Sequence, residues 1–207
     1  MLKLQLTILM VFVSLFNSLK SEEEIKSLDI SPFEYSLEKI ISYEEIVSQI
    51  ERLTKVLEKD YGNNEICVLA ILKGSLWFAT DLIKALKLPN SLETISCSSY
   101  GKNGMHSGVL TIAGLEKIDI KDKHVLVVDD ICDTGKTLSN VMKKLQELQP
   151  QSLKSMVLLS KKCRTAEEYQ PDYFLFEIEN LFVVGYGLDY KEYYRGLPGV
   201  YVLGHND

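Results

Sequence analysis

The sequence predicts an α/β protein with a mostly parallel sheet flanked by helices. Short, continuous apolar runs such as Ile66–Leu72 are typical of strands that are buried on both faces. Segments such as Ser42–Lys59, with apolar residues three or four positions apart, are typical of amphipathic helices. The two kinds of segment alternate along the chain, which favours parallel strands joined by right-handed crossovers.

The individual elements follow from local patterns. Ser42 and Glu45 fit a capping box at the start of the first helix, and Lys73-Gly74-Ser75 interrupts the chain after the first buried strand. The apolar positions of the first helix are Ile46, Ile50, Leu53, Val56 and Leu57. The other predicted helices are Leu76–Leu86 and Thr137–Leu148. The other predicted strands are Ser91–Tyr100, Val109–Ala113, His124–Val128, Met156–Leu159, Phe174–Ile178 and Phe182–Gly185.

Composition narrows the class of protein. The 207 residues carry a net charge of −6, which argues against a general nucleic-acid binder because such proteins need clustered lysine and arginine. The four cysteines are irregularly spaced and form no zinc pattern, so we expect reduced thiols and a cytoplasmic protein.

The first twenty residues leave a second location open. Lys3 precedes the uncharged stretch Leu4–Leu19, which has the pattern of a secretory signal and is short for a membrane span of about 20 apolar residues. A misassigned start codon or an unstructured leader would give the same pattern. We therefore predict a leader over 1–20, a linker over 21–36 and a single domain over 37–207, with a secretory or organellar location as the alternative.

Three strand ends are the places to expect a ligand, because parallel sheets bind ligands beyond the carboxyl ends of their strands. These ends are Lys73-Gly74, Asp129-Asp130 and Lys161-Lys162.

The segment from Val125 to Leu138 contains most of the residues that indicate what the protein binds. A buried strand ends at Asp129 and Asp130, and a loop of small residues then leads into a helix. Unpaired backbone N–H groups and the positive end of the dipole at a helix N-terminus favour a phosphate monoester. The loop residues are Asp133, Thr134, Gly135, Lys136 and Thr137. The two carboxylates suit hydroxyl groups or a hydrated cation instead, so the pattern predicts a sugar-phosphate site.

This segment has two other interpretations. Gly135-Lys136-Thr137 is similar to part of a Walker A loop, but Asp130 stands where that motif needs a glycine. In the second interpretation the aspartates merely end a strand and Thr134 or Thr137 caps a helix.

The segment closely resembles the PRPP-binding signature of type I phosphoribosyltransferases. Leu72–Ser75 resembles the pyrophosphate loop of that family, and Ser99-Tyr100 with the polar stretch to Gly108 resembles its flexible flap. The remaining motifs resemble the purine-recognition end of the hypoxanthine-guanine branch: Lys161, Pro171-Asp172-Tyr173, Phe182–Tyr190 and Arg195. The resemblance runs from about Leu37 to Leu203 and implies a parallel sheet with a small hood and a flap loop.

The resemblance implies an enzyme of purine salvage. Such an enzyme transfers the 5-phosphoribosyl group from PRPP to hypoxanthine or guanine, giving IMP or GMP and pyrophosphate, with Mg²⁺ as cofactor. Asp133 would accept the purine N7 proton, although it could serve only as a helix cap. Asp129 and Asp130 would hold the ribose hydroxyls directly or through Mg²⁺. Asp189, at the purine end, would face a second Mg²⁺, unless it is a surface turn residue. A homodimer or homotetramer is expected.

The remaining roles concern pyrophosphate and the purine. Lys73 and Gly74 would supply backbone donors to pyrophosphate, and Arg195 would make bidentate contacts with it. The family often holds the loop at Lys73 in an uncommon peptide geometry that includes cis. Lys161 would donate to the purine 6-oxo group, Phe182 would stack on the ring, and the Val183 backbone would read the 2-position. Ser99 and Tyr100 would close over the site.

Two positions depart from many relatives: Ser75 replaces a second glycine, and Ser98 replaces a basic residue. Phe182 considered alone is a core aromatic. A preference for xanthine, a PRPP-sensing regulator that binds nucleic acid, and a transferase for orotate or uracil are the alternative functions.

Overall fold

The computed structural model describes residues 35–100, 109–162 and 169–205. The described residues between 37 and 204 belong to one compact unit. The predicted leader, nearly all of the predicted linker and the predicted loop Gly101–Gly108 lie outside the described residues. Among the helices that the structure describes, none is long and apolar enough to cross a membrane.

The elements follow one another in the predicted alternation. The strands are β1 (Tyr35–Ile41), β2 (Ile66–Leu72), β3 (Asn90–Tyr100), β4 (Val109–Ala113), β5 (His124–Cys132), β6 (Ser152–Lys161), β7 (Tyr173–Ile178), β8 (Val183–Val184) and β9 (Val200–His205). The helices are α1 (Tyr43–Tyr61), α2 (Leu76–Ala85) and α3 (Lys136–Gln146), with a short 3₁₀ helix at Leu115–Lys117.

A six-stranded sheet with the order β4-β3-β2-β5-β6-β7 forms the centre of the fold. Its neighbouring strands are parallel except for β3 and β4, which form an antiparallel pair at one edge. A smaller sheet has the order β1-β9-β8. The predicted mostly parallel sheet is therefore confirmed.

Both faces of the central sheet are covered. In β2 the side chains of Val68 and Ala70 belong to one apolar core with α1 and α2, whereas Leu69 and Ile71 belong to a second core with α3. Successive residues of a strand point to opposite faces, so this division requires helices on both sides of the sheet. The arrangement explains why β2 is a continuous apolar run.

The capping box predicted at the start of α1 is present. The Glu45 backbone N–H donates to Ser42 Oγ (3.3 Å), and the Ser42 backbone N–H donates to Glu45 Oε2 (2.8 Å). These two bonds satisfy donors that the helix itself leaves unpaired, and they fix the helix start at Tyr43.

The predicted end of β5 is wrong. Asp129 and Asp130 do not follow the strand but lie within it, since β5 continues to Cys132. The neighbouring strand β6 is also longer than predicted and pairs Asp129 with Val157 and Cys132 with Ser160. A partner strand thus keeps the backbone extended past the apolar run.

Candidate active site

The acidic pair is held inside the sheet. Asp129 Oδ1 accepts the Asp130 backbone N–H (3.0 Å), and Asp130 Oδ1 accepts the Ile131 N–H (2.8 Å). Burial raises the pKa of both carboxyls, and the neighbouring negative charge of Asp130 raises the pKa of Asp129 further. Two carboxylates side by side, one buried and one half-buried, are costly to ionise together, so the pair is suited to a ligand that supplies positive charge or hydroxyl donors.

The pair opens into a cleft of about 360 Å³. The lining comes from the ends of β2 and β5, the loop before α3, and the C-terminal segment. The lining residues are Ile71, Leu72, Gly74, Cys97, Asp129 to Leu138, Asp189 and Arg195. Residues far apart in sequence therefore meet at the carboxyl edge of the sheet, where the strand order predicts a ligand.

The loop before α3 has the features of a phosphate site. Gly135 precedes the helix with φ of 71°, a left-handed conformation that favours glycine. A Cβ atom at this position would lie 2.5 Å from the Tyr169 carbonyl oxygen, so the loop is also packed too closely for a side chain. Gly135 has no side chain to cap α3, and among the described residues the Thr134 hydroxyl accepts the Lys136 N–H only at a long 3.5 Å. The first turn of α3 contains no acidic residue. The positive end of the helix dipole is therefore not neutralised locally by a carboxylate of that turn.

The pyrophosphate loop packs against the acidic pair. The peptide bond between Leu72 and Lys73 is cis, one of the geometries that the resemblance implies. A Cβ atom at Gly74 would overlap the carboxylate of Asp130, so only glycine fits beside that side chain. Ser75, the departure from the second glycine, is buried and donates its hydroxyl to the Ile71 carbonyl (2.6 Å). The replacement therefore leaves no unsatisfied hydroxyl.

The C-terminal segment brings a guanidinium into the cleft. Arg195 donates to the Gly187 carbonyl (2.7 Å) and forms an ion pair with Asp189 (2.7 Å). It also donates to Glu192 (3.2 Å). Arg195 Nε is buried and has no hydrogen-bond partner among the described residues. Arg195 lines the cleft, and a guanidinium there is suited to an anionic ligand.

Lys161 does not line the cleft itself but contacts Asp133, which does. Its Nζ donates to Asp133 Oδ2 (3.2 Å) and to Asn180 Oδ1 (3.4 Å). The Lys161 side chain is 12% exposed and that of Asp133 is 58% exposed. The lysine is thus fixed by its surroundings, whereas the carboxylate can meet a ligand.

The aromatic at the purine end is accessible. Phe182 is 54% exposed, with its ring edge-on to Tyr190 at 5.7 Å, so the interpretation of Phe182 as a core aromatic is wrong. Val183 is buried in β8 opposite Val202. Asp172, from the motif Pro171-Asp172-Tyr173, instead accepts the Ser155 N–H and hydroxyl (2.8 and 2.9 Å), which ties this motif to β6.

Lys73, Ser99 and Tyr100 are not among the described residues that line the cleft. Ser99 and Tyr100 are the last residues of β3, in register with Leu110 and Val109 of β4. Lys73 pairs with Glu192 at 3.1 Å, a contact that no sequence pattern predicted.

The residues present fit Mg²⁺ only if a substrate completes its coordination. Asp129 and Asp130 supply hard carboxylate oxygens, the ligands that Mg²⁺ prefers. Asp189 is already paired with Arg195 and accepts the Glu192 N–H (2.9 Å). Within the described ranges, no three His, Cys, Asp or Glu side chains are grouped so as to hold a metal. A phosphate-rich substrate would therefore have to provide further ligands.

Comparison with known proteins identifies the family to which this chain belongs. Residues 37–191 match the model of the phosphoribosyl transferase domain, and the chain belongs to that family. A hypoxanthine-guanine phosphoribosyltransferase of Streptococcus pneumoniae is 41% identical over 164 residues, which are 79% of this chain and 91% of the relative. The enzyme of that name from Dictyostelium discoideum is also 41% identical, over 79% of this chain and 93% of the relative.

A solved structure extends the likeness to three dimensions. A crystal structure of a hypoxanthine-guanine phosphoribosyltransferase from Bacillus anthracis, with a HEPES molecule in its active site, matches with a TM-score of 0.74. It is 36% identical, and the match covers 80% of this chain and 97% of that one.

Proposed function

We propose that the protein transfers the 5-phosphoribosyl group of PRPP to hypoxanthine or guanine, forming IMP or GMP and releasing pyrophosphate. The observation that carries this proposal is the meeting of an acidic pair, a phosphate loop and Gly74 around one cleft. Two relatives that are named hypoxanthine-guanine phosphoribosyltransferase support the choice of substrates. The match covers more than nine-tenths of the length of each.

The ribose 5-phosphate is bound at the start of α3. Backbone N–H groups of the loop from Thr134 to Thr137 and the helix dipole stabilise its negative charge. Asp129 and Asp130 accept hydrogen bonds from the ribose hydroxyls. Binding therefore fixes both ends of the sugar and aligns its anomeric carbon between the base and the leaving group.

Asp133 and Lys161 act on the purine. The Asp133 carboxylate takes the proton from N7 as the base attacks, and Lys161 donates to the 6-oxo group. Their mutual ion pair at 3.2 Å brings the acceptor and the donor close enough to contact adjacent atoms of one base. Phe182 stacks on the ring, and the backbone of Val183 contacts its 2-position.

The departing pyrophosphate is bound by Lys73, the backbone at Gly74, and Arg195. Arg195 can form bidentate hydrogen bonds to phosphate oxygens. Mg²⁺ held between substrate oxygens and Asp129 or Asp130, with a second ion near Asp189, would neutralise charge that develops on the leaving group. Closure by Ser99 and Tyr100 would exclude water from the reacting atoms.

Conversion of labelled hypoxanthine to IMP tests the proposal. With PRPP and Mg²⁺ the purified protein should form IMP and release an equimolar amount of pyrophosphate, and omission of PRPP should abolish both. Absence of product with hypoxanthine and with guanine would contradict the proposal. Side-by-side kcat/KM values for hypoxanthine, guanine and xanthine would identify a preference for xanthine.

Replacing Lys161 by alanine should weaken discrimination against adenine. The ammonium group can donate to a 6-oxo group but not to the 6-amino group of adenine, so its loss removes a selective contact. We expect kcat/KM for hypoxanthine to fall by about 10- to 100-fold, the loss typical of a hydrogen bond to a charged group, with little change for adenine. The matched control is Lys162→Ala, which removes an exposed lysine paired with Glu179. An unchanged ratio of hypoxanthine to adenine turnover would contradict the role of Lys161.

Self-association into a homodimer or homotetramer is part of the proposal. A related hypoxanthine phosphoribosyltransferase of Trypanosoma cruzi, 34% identical with a TM-score of 0.75, has been studied for the effect of its C-terminal region on oligomeric state. The cytoplasmic location stays a prediction.

A further inference from the structure

Glu192 lies in a turn with an unusual backbone. Lys191 and Glu192 have φ of 51° and 70°, a left-handed conformation that favours glycine or asparagine. Tyr190 and Tyr193 exchange backbone hydrogen bonds of 3.2 and 2.9 Å across them, so the two residues form the centre of a tight turn. A glutamate at such a position needs contacts that hold it there.

Three contacts hold Glu192. Its Oε2 accepts Lys73 Nζ at 3.1 Å and Arg195 Nη2 at 3.2 Å, and its backbone N–H donates to Asp189 Oδ2 at 2.9 Å. Lys73 is 119 positions away in sequence, so the turn connects two distant segments, each of which also contributes a residue to the cleft, Gly74 and Arg195. One carboxylate oxygen thus bridges the two side chains that the proposed function assigns to pyrophosphate.

The exposure of the three side chains differs. Glu192 and Lys73 are 65% and 69% exposed, whereas Arg195 is 18% exposed. The hydrogen bonds from Lys73 and Arg195 lower the pKa of Glu192, so the carboxylate is ionised at neutral pH. An exposed, screened ion pair is weak, so a ligand with more negative charge can displace Glu192 from both cations.

We propose that Glu192 is a positioning residue that binds Lys73 and Arg195 while the pyrophosphate pocket is empty and releases both when pyrophosphate or PRPP enters. The inference rests on the proposed function for the identity of the anion. In this arrangement the carboxylate keeps the two cations at the pocket and competes with the incoming phosphates.

Competition between Glu192 and pyrophosphate predicts whether a substitution at Glu192 raises or lowers the affinity for pyrophosphate. Glu192→Gln keeps the length and the hydrogen-bonding oxygen of the side chain but removes its charge. If Glu192 competes with pyrophosphate, the variant should bind pyrophosphate more tightly. If Glu192 only supports the fold of the turn, the variant should bind pyrophosphate equally well or more weakly.

Calorimetric titration of the whole chain with pyrophosphate and Mg²⁺ at low ionic strength measures this effect. We expect the dissociation constant of Glu192→Gln to fall by about 3- to 10-fold, the combined strength of two weak ion pairs made by an exposed carboxylate. The KM for PRPP should fall in parallel, and the KM for hypoxanthine should not change. The matched control is Glu147→Gln, which removes an equally exposed carboxylate paired with Lys144 at 2.9 Å near the far end of α3. That control should bind pyrophosphate as the unmodified chain does.

An equal or weaker affinity of Glu192→Gln for pyrophosphate would overturn the inference. The outcome is separable from that of the proposed function, because binding is measured without catalysis. Tighter pyrophosphate binding by a protein that makes no IMP would sustain the role of Glu192 and refute the reaction. Normal IMP formation with unchanged pyrophosphate affinity would support the reaction and refute the role of Glu192.

Discussion

Replacing Asp133 by asparagine should lower kcat by about 10²- to 10⁴-fold, the usual contribution of a positioned general base. Asparagine has nearly the same shape as aspartate and still accepts a hydrogen bond from Lys161, but it cannot take the N7 proton. The phosphate loop that follows Asp133 keeps its backbone and its glycine. PRPP should therefore bind to the variant with nearly unchanged affinity.

Steady-state rates and calorimetric titration with PRPP separate these two effects. The control is Asp119→Asn, which replaces a carboxylate that accepts the exposed Lys121 N–H (3.4 Å) before β5. That variant should keep both kcat and PRPP affinity. An unchanged kcat in Asp133→Asn would mean that the Asp133 carboxylate lies near the start of α3 without accepting the N7 proton. Loss of PRPP affinity together with kcat would indicate that the loop itself had been disturbed.

The central sheet could be predicted because its strands are buried on both faces. In β2 from Ile66 to Ile71, and in β5 from Val125 to Val128, every side chain lies in a core, so these stretches are apolar without interruption. The spacing in α1 likewise follows from burial of Ile46, Ile50 and Leu57. Val56 was wrongly included in that stripe, since it is 39% exposed. An apolar residue beside the stripe costs little at the surface, and the pattern alone cannot distinguish it.

The sheet of β1, β9 and β8 could not be predicted in the same way. β1 reads YSLEKII, with charged and apolar residues mixed, and its partner β9 lies at the opposite end of the chain. Such a strand depends on a long-range partner rather than on local pattern. The extension of β5 through Asp129 and Asp130 has the same origin, because β6 supplies the pairing that the side chains do not favour.

The candidate site likewise has one part that the sequence predicts and another part that depends on long-range contacts. The residues from Asp129 to Thr137 are consecutive, so their joint chemistry is readable in the sequence. The contacts of Gly74 with Asp130 and of Lys73 with Glu192 join distant segments and depend on how the loops meet. No spacing rule relates such residues. The importance of Glu192 and of the Tyr169 carbonyl could be recognised only in three dimensions.

Replacing Gly74 by alanine should nearly abolish PRPP binding. The added methyl group would overlap the Asp130 carboxylate, and that carboxylate is held by the Ile131 N–H at 2.8 Å. On the other side, the Gly74 carbonyl leaves no room for a Cβ atom at Gly187. The loop therefore cannot move outward freely, and Asp130 must leave the position in which it would accept a ribose hydroxyl. A misplacement of about 1 Å in a substrate-positioning group can cost about 10²-fold in rate, so we expect kcat/KM for PRPP to fall by at least that factor.

The matched control for Gly74→Ala is Gly196→Ala. A Cβ atom at Gly196 meets no atom within 4 Å, and neither glycine has a left-handed backbone, so the two variants differ in steric contact alone. Gly196→Ala should keep its PRPP affinity and should unfold at an equal or slightly higher temperature, since alanine restricts the unfolded chain more than glycine does. Calorimetry with PRPP and thermal unfolding of both variants make the comparison. Retained PRPP affinity in a folded Gly74→Ala variant would mean that the contact between Asp130 and the pyrophosphate loop does not position the sugar. The acidic pair would then have to act through Asp129 alone.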